Sequence, residues 1–205
     1  MRHRVPRSVP AAFFALALLF FAARLPAVDV NSLKPQGYLS DYANVVDAQS
    51  KQQIEHYCYL VERTMNVQIA LVTVDSLDDR DIDSTANQIF RHFGVGSKQG
   101  NLGVLALFAI KDRKSRIEVG YGMEQYLTDG ASGTILRSLQ DQLRSAQYGP
   151  ALLDAAHKIA EHIAQTKGVP APVDDLPVRR STDRRSEGIP FPLLILGLLF
   201  FFWLL

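Results

Sequence analysis

"GVLALFAIKDRKSRIEVGYGMEQYLTDG" runs from Gly103 to Gly130, and its reading decides the fold. Residues 103–110 are apolar without a break, the pattern of a strand covered on both faces. The polar "KDRK" at 111–114 then predicts a turn. From 115 to 121, Arg116 and Glu118 alternate with Ile117, Val119 and Tyr121, which predicts a hairpin partner with one more solvated face. The stretch closes on "GYGMEQYLTDG", 120–130, with glycines at both ends and the acids Glu124 and Asp129 inside. It connects this strand to a helix carried by Ile135, Leu136, Leu139 and Leu143.

Moving toward the N-terminus, "VQIALVTV" (67–74) is a second β-branched, nearly continuous apolar run. Between the two runs, Ile82, Ala86, Ile89, Phe90 and Phe93 mark a helix ended by Gly94. A helical crossover joining two such strands predicts a parallel, right-handed pair. Before the first run, Asp47 is placed to cap a helix carrying Ile54, Tyr57, Cys58, Val61 and Met65, and Asn66 is placed to stop it. After the hairpin, Pro150 starts a last helix with Leu152, Leu153, Ala156, Ile159, Ala160 and Ile163 inward. The pattern is α/β: a small mixed sheet with helices on both faces, spanning roughly 33–167.

The ends of the 205-residue chain differ from this middle. Arg2, Arg4 and Arg7 precede an apolar run from Ala11 to Ala23, the basic-then-apolar order of a secretory signal over 1–27. It is either cleaved after Ala27 or retained as an anchor. Residues 168–188, "GVPAPVDDLPVRRSTDRRSEG", keep no apolar period and read as a charged, Pro-rich linker. Residues 189–205 are uncharged and rich in Leu and Phe, which predicts a transmembrane helix with Trp203 near an interface. Arg179, Arg180, Arg184 and Arg185 would favour the cytoplasmic side, but a long exported domain overrides that bias. The expected location is the cell membrane, single-pass, with the domain on the extracytoplasmic (periplasmic) side.

Several chemistries are excluded. With 22 Lys+Arg against 21 Asp+Glu, charge gives no case for nucleic acid as a partner. Cys58 is the sole cysteine, so neither an internal disulfide nor a multi-cysteine metal site is available. "GVGSKQGNLG" (94–103) runs from a helix end into a strand, the reverse of a nucleotide-binding loop, and lacks the Gly-Lys-Ser/Thr ending. His157 and His162 lie five residues apart, on different sides of a helix, and with His56 and His92 they read as solvated positions. No Gly-x-Ser-x-Gly elbow and no His-Glu-x-x-His pair occurs.

What remains is acidic. Asp41 precedes the first helix, Asp75, Asp78, Asp79, Asp81 and Asp83 follow the first strand, and Glu124 and Asp129 follow the hairpin. Ca²⁺ or Mg²⁺ takes several oxygen ligands at about 2.0–2.6 Å, and Gly120 and Gly122 would free the backbone to lend carbonyls. The same acids serve equally as caps and surface residues: Asp129 for the third helix, Asp81 for the second, Glu124 on the surface. The hairpin runs antiparallel to its neighbour, so strand order alone does not bring Glu124 beside Asp78.

"GYLSDYANVVD", "VQIALVTVDSL", "GVLALFAIKDRKSRIEVGYGMEQYLTD" and "AQYGPALLDAAHKIAEHI" together resemble the TPM domain over about 38–164. This domain occurs in thylakoid-lumen photosystem II repair proteins, a nematode acetylcholine-receptor modulator and many bacterial exported membrane proteins. The resemblance implies a three-layer α/β/α sandwich, an acidic divalent-cation site in some members, and weak acid phosphatase activity in the plant branch. Matched residue by residue, it carries the cation site onto Asp41, Glu124 and Asp129, with Ca²⁺ or Mg²⁺ as the cofactor. Asp112 and Arg113 match the hairpin signature, which a tight turn explains as well as a substrate contact does. Three functions follow as expectations. The first is a membrane-anchored module that interacts with, or maintains, a membrane protein or complex. The second is a metal-assisted phosphatase, with Arg113 or Arg116 neutralising phosphoryl charge. The third is a structural anchor without ligand.

Overall fold

The structure, a computed structural model, describes residues 29–97 and 100–173. The expected signal segment, most of the linker and the apolar segment 189–205 lie outside the described residues. Everything below concerns the compact unit that ends at Pro172.

The elements follow in the order β1 (Leu39–Asp41), α1 (Ala48–Met65), β2 (Gln68–Val74), α2 (Ile82–Phe93), β3 (Gly103–Ala109), β4 (Lys114–Val119), α3 (Asp129–Ser138), α4 (Gln140–Arg144) and α5 (Tyr148–Lys167). The sheet order is β1-β2-β3-β4, with β1, β2 and β3 parallel and β4 antiparallel to β3. Both continuous apolar runs are therefore strands, the helix between them is a crossover, and the hairpin is a hairpin.

Side chains alternate across a strand, so a strand buried on both faces serves two cores. Ile69, Leu71, Val104, Ala106 and Phe108 point to one side, where Ile54, Cys58 and Val61 of α1 and Leu152, Ala156 and Ile159 of α5 meet them. Ala70, Val72, Leu105 and Leu107 point to the other, against Ala86 and Ile89 of α2 and Val30 of an N-terminal 3-10 turn. This is a three-layer arrangement, helices on both sides of a mixed sheet. Among the described residues no helix is long and apolar enough to cross a membrane.

The helix ends obey their capping residues. Asp47 accepts from the Ser50 amide at 2.9 Å, and Asn66 closes α1 in the left-handed region at φ 55°. Asp81 accepts from the Ser84 amide at 2.8 Å, and Gly94 closes α2 at φ 62°.

Four local expectations are corrected. Leu39–Asp41 forms a third parallel strand, paired with Leu71–Thr73, where the sequence reads only as a lead-in to α1. The helix expected over 135–143 is two helices that meet at Leu139, whose buried side chain and amide bond to Leu136 (3.3 Å) turn the chain there. The cap of α3 is Thr128, whose hydroxyl accepts from the Ala131 amide at 3.3 Å, and Asp129 is the first helical residue. His157 is half-buried rather than solvated, its ring 3.9 Å from that of Tyr57 between α5 and α1.

Two predictions concern the seam between α1 and α5. A Cβ on buried Gly149 would lie 2.6 Å from Asp47 Oδ2 and 2.6 Å from Ser50 Cβ. Gly149→Ala should therefore destabilise the protein by about 1–3 kcal/mol in urea unfolding, although alanine favours helix. The Ser50 hydroxyl beside Asp47 holds the Asp47 carboxyl below its usual range, against partial burial, with the Ser50 amide adding to the effect. A lowered folded value means that the cap contributes fully above the unfolded carboxyl's pKa of about 4 and fades as pH falls through the folded value. Asp47→Ala should cost about 1 kcal/mol at neutral pH. That gap should close in acid when unfolding curves are compared between pH about 7 and pH about 2.

Candidate functional site

The carboxyl ends of the three parallel strands, where open α/β sheets usually bind ligands, are rich in acids. Asp41 closes β1 there. Its carboxylate accepts from the Val46 amide at 2.9 Å, from the Val45 amide at 3.3 Å and from the Thr73 hydroxyl at a short distance. Thr73 is fully buried in β2, and its oxygen also accepts from the Ala43 amide at 3.3 Å. Asp41 therefore organises the 42–46 turn that leads into α1, satisfying backbone donors that the strand end would otherwise leave unpaired. Asp112, in the hairpin turn, does the same for the loop after β2, accepting from the Leu77 amide at 2.7 Å and from the Ser76 hydroxyl at 3.4 Å. Arg113 sits beside it at φ 52° in a tight turn closed by its own amide on the Ile110 carbonyl (3.2 Å). Asp75 pairs with Lys111 in the open.

Residue Glu55 of α1 completes the frame around β1. Its carboxylate accepts from the Tyr38 amide at 3.1 Å and from the Leu39 amide at 2.8 Å. The Tyr38 hydroxyl donates to Glu62, about two helical turns further on, and burial, then Glu62, push that phenol's pKa up. Neither Glu55 nor Glu62 is distinguishable by sequence from the other polar positions of α1. Only the tertiary fold identifies them.

Residues 120–128 lie at the opposite end. The last bond of the β3–β4 ladder is the Gly120 amide to the Gly103 carbonyl, at 2.8 Å. The chain then turns at once: the Met123 amide bonds the Gly120 carbonyl at 2.7 Å, and the Tyr126 and Leu127 amides bond the Met123 carbonyl at 2.8 and 2.9 Å. Met123 and Leu127 are buried, while Glu124 is exposed. Tyr121, expected to continue the apolar face of the strand, lies beyond its end and is 84% exposed. Tyr126 is tied down differently, with the Lys167 ammonium 5.5 Å over its ring. The same ammonium donates to the Met65 carbonyl at 3.2 Å, joining this loop to the ends of α1 and α5.

The acids of the expected cation site are not brought together. Asp41 is on one edge strand. Asp129 meets Arg116 of the other edge strand, its Oδ1 3.5 Å from Nη2. Three strand spacings, about 14 Å, separate the two strands, far beyond the reach of one ion's ligand shell. Glu124 follows the far end of β4. Among the described residues no three His, Cys, Asp or Glu side chains are grouped to hold a metal ion. The residues present therefore do not fit a single Ca²⁺ or Mg²⁺ held by Asp41, Glu124 and Asp129. The expectation carried the matching acids over without the strand order that separates them.

Arg116, on β4, is the centre of a charge network. Its Nε lies 3.3 Å from Asp83 and 3.9 Å from Glu118, and Asn87 donates to Glu118 at 2.7 Å. With Asp129, this guanidinium links the starts of α2 and α3 across β4. As an extended charge network around an edge strand it reads as structure.

The two acids should therefore respond differently to substitution. Thr73→Val removes a donor from Asp41 inside the fold and should cost about 1–3 kcal/mol in urea unfolding. Combining it with Asp41→Ala should cost clearly less than the sum of the two. Asp129→Asn, at an exposed pair, should change stability by less than about 1 kcal/mol.

Comparison with known proteins agrees with this architecture. The N-terminal domain of a Porphyromonas gingivalis protein ("P.gingivalis"), solved by NMR, superposes with a TM-score of 0.59 at 23% identity, covering 67% of this chain and 88% of that one. The N-terminal domain of a Corynebacterium glutamicum protein gives 0.50 at 15% identity, over 68% and 84%. The BA42 protein of the psychrophilic bacterium Bizionia argentinensis gives 0.50 at 20% identity, over 64% and 91%. At these identities the likeness is one of fold. No curated protein matches the chain. The TPM domain model matches residues 39–162, from the first residue of β1 to near the end of α5 and more than half of the chain, and the protein belongs to the TPM domain family.

Proposed function

We propose that the protein is a membrane-anchored, extracytoplasmic interaction module that binds a membrane protein or complex and helps to maintain it, without catalysing a reaction. The observation that carries this reading is the use to which the acids are put. Asp41 and Asp112 are engaged with backbone amides and neighbouring hydroxyls, and Asp129 and Glu118 surround Arg116. A metal-assisted phosphatase needs carboxylates converging on one point, with a phosphoryl oxygen beside them. Here the matching acids are spread over both edges and both ends of the sheet. The basic-then-apolar start and the uncharged run 189–205 support the anchored, exported placement.

The placement is tested by fractionating cells that express the full chain. It should remain with membranes after an alkaline carbonate wash, deletion of 189–205 should release it, and protease added from outside should digest the domain. A chain found in the soluble fraction would contradict the anchor. The non-catalytic reading is tested with purified protein and a phosphomonoester. Turnover that disappears in a Glu124→Gln/Asp129→Asn variant would contradict it, and the expected result is no turnover sensitive to that substitution.

A further inference from the structure

The 3-10 turn Val30–Ser32 precedes the sheet and lies against α2. It closes on itself. The Asn31 amide donates to the Asp29 carboxylate at 3.1 Å, and the Ser32 and Leu33 amides bond the Asp29 and Val30 carbonyls at 3.0 and 3.2 Å. Among the described residues, no main-chain hydrogen bond joins 29–35 to the rest of the domain. The turn is held down by side chains instead. Val30 is buried in the second core and Leu33 is half-buried against it. His92 Nε2, in the last turn of α2, donates to the Leu33 carbonyl at 3.0 Å, and the Tyr42 hydroxyl donates to the Lys34 carbonyl.

The link from this turn to β1 divides into a loose part and a fixed part. Lys34 and Pro35 are exposed, and Pro35 has no amide to donate. From Gln36 onward the chain is tied: its amide bonds the Ser40 hydroxyl at 3.0 Å. At Gly37, φ is 145°, and a Cβ there would lie 2.5 Å from Glu55 Oε1. Glu55 then holds the Tyr38 and Leu39 amides, so β1 stays in place whatever the turn does. The gains on docking the turn are modest: one buried valine and two hydrogen bonds, from exposed His92 and half-buried Tyr42. Against them stands the entropy of fixing the backbone of 29–35, a cost of similar size, so docked and released forms lie close in free energy.

We propose that residues 29–33 are a strap that opens and closes on α2 while the rest of the domain stays folded. Closed, Val30 seals the second core. Open, the strap swings on Lys34 and Pro35 and uncovers the α2 side of that core, where Ala86 and Ile89 are otherwise fully buried. His92 and Tyr42 are its clasp. The other buried members of the second core all lie within 70–109, in the β2-α2-β3 crossover, so the sheet and α2 keep their packing when the strap leaves. This device is independent of the membrane placement and the partner binding proposed above.

The test follows the full chain in detergent micelles by native-state hydrogen exchange and by thiol labelling. The Leu33 amide, bonded to the Val30 carbonyl, should exchange at least about 100-fold faster than the Leu71 amide of β2, through an opening that urea does not promote. In a Val30→Cys variant, the introduced thiol should label at least about tenfold more slowly than in the urea-unfolded chain. It should also label at least about 100-fold faster than fully buried Cys58, which reports global unfolding. Adding His92→Ala and Tyr42→Phe should speed that labelling severalfold and leave Cys58 unchanged. Opening at Val30 and Leu33 only together with Cys58 and Leu71, with the same urea dependence, would overturn the proposal. Labelling at position 30 as fast as in the unfolded chain, with the Leu33 amide unprotected, would overturn the closed form. Labelling indifferent to the two clasp substitutions would overturn the roles of His92 and Tyr42. Should Val30→Cys itself speed the labelling of Cys58, the Leu33 and Leu71 amides of the unsubstituted chain decide between the outcomes.

Discussion

Two glycines, Gly103 and Gly120, allow backbone segments to approach more closely than any side chain would permit. A Cβ on Gly103 would lie 2.7 Å from the Val95 carbonyl, and one on Gly120 would lie 2.5 Å from that of Asn101. Because neither exists, main-chain atoms of the loop that ends α2, the start of β3 and the end of β4 come into direct contact. This contact sets where β3 begins, and with it the register against β2 and β4. It also sets where β4 must stop, which makes residues 121–128 a turn rather than more strand. The rest of the signature loop follows: Met123 and Leu127 go into the core, Tyr126 goes under Lys167, and Tyr121 remains outside.

The other end of the sheet is governed by the opposite need. Three parallel strands stop there, and each leaves main-chain donors to be satisfied in the connection that follows. Carboxylates meet that need: Asp41 for the turn after β1, Asp112 for the loop after β2, and Asp47 and Asp81 for the first turns of α1 and α2. An acid-rich loop is thus a consequence of ending strands and starting helices close together. It does not by itself mark a ligand site. The charge that escapes this use, at Asp75, Asp83 and Asp129, is paired with Lys111 or Arg116 at the surface.

Much of the fold was legible in the sequence, because double burial makes a strand apolar throughout and crossover helices carry caps that can be recognised singly. Asp47, Asn66, Asp81 and Gly94 all stand where their residue types predict. What escaped was short or tertiary. β1 has three residues, too few to display alternation, and it is specified by Glu55 and Thr73, which are distant in sequence. The break at Leu139 leaves the apolar spacing of 135–143 unchanged. The site was less legible than the fold. Residue matching pointed to Asp41, Glu124 and Asp129 as one set, but only sheet order shows that Asp41 and Asp129 stand at different edges. The exposure of Tyr121 was hidden by an alternation that continued in sequence past the point where the strand ends.

The claim on which this account turns is that 120–128 is a rigid structural platform and not a loop that waits to be ordered by a ligand. Native-state hydrogen exchange of the free protein tests this most directly. The Gly120 and Leu127 amides, bonded to the Gly103 and Met123 carbonyls, should show the same opening free energy as the amides of β3 and share their dependence on denaturant. Exchange of these two amides at the rate of unbonded surface amides, with β3 still protected, would contradict the account.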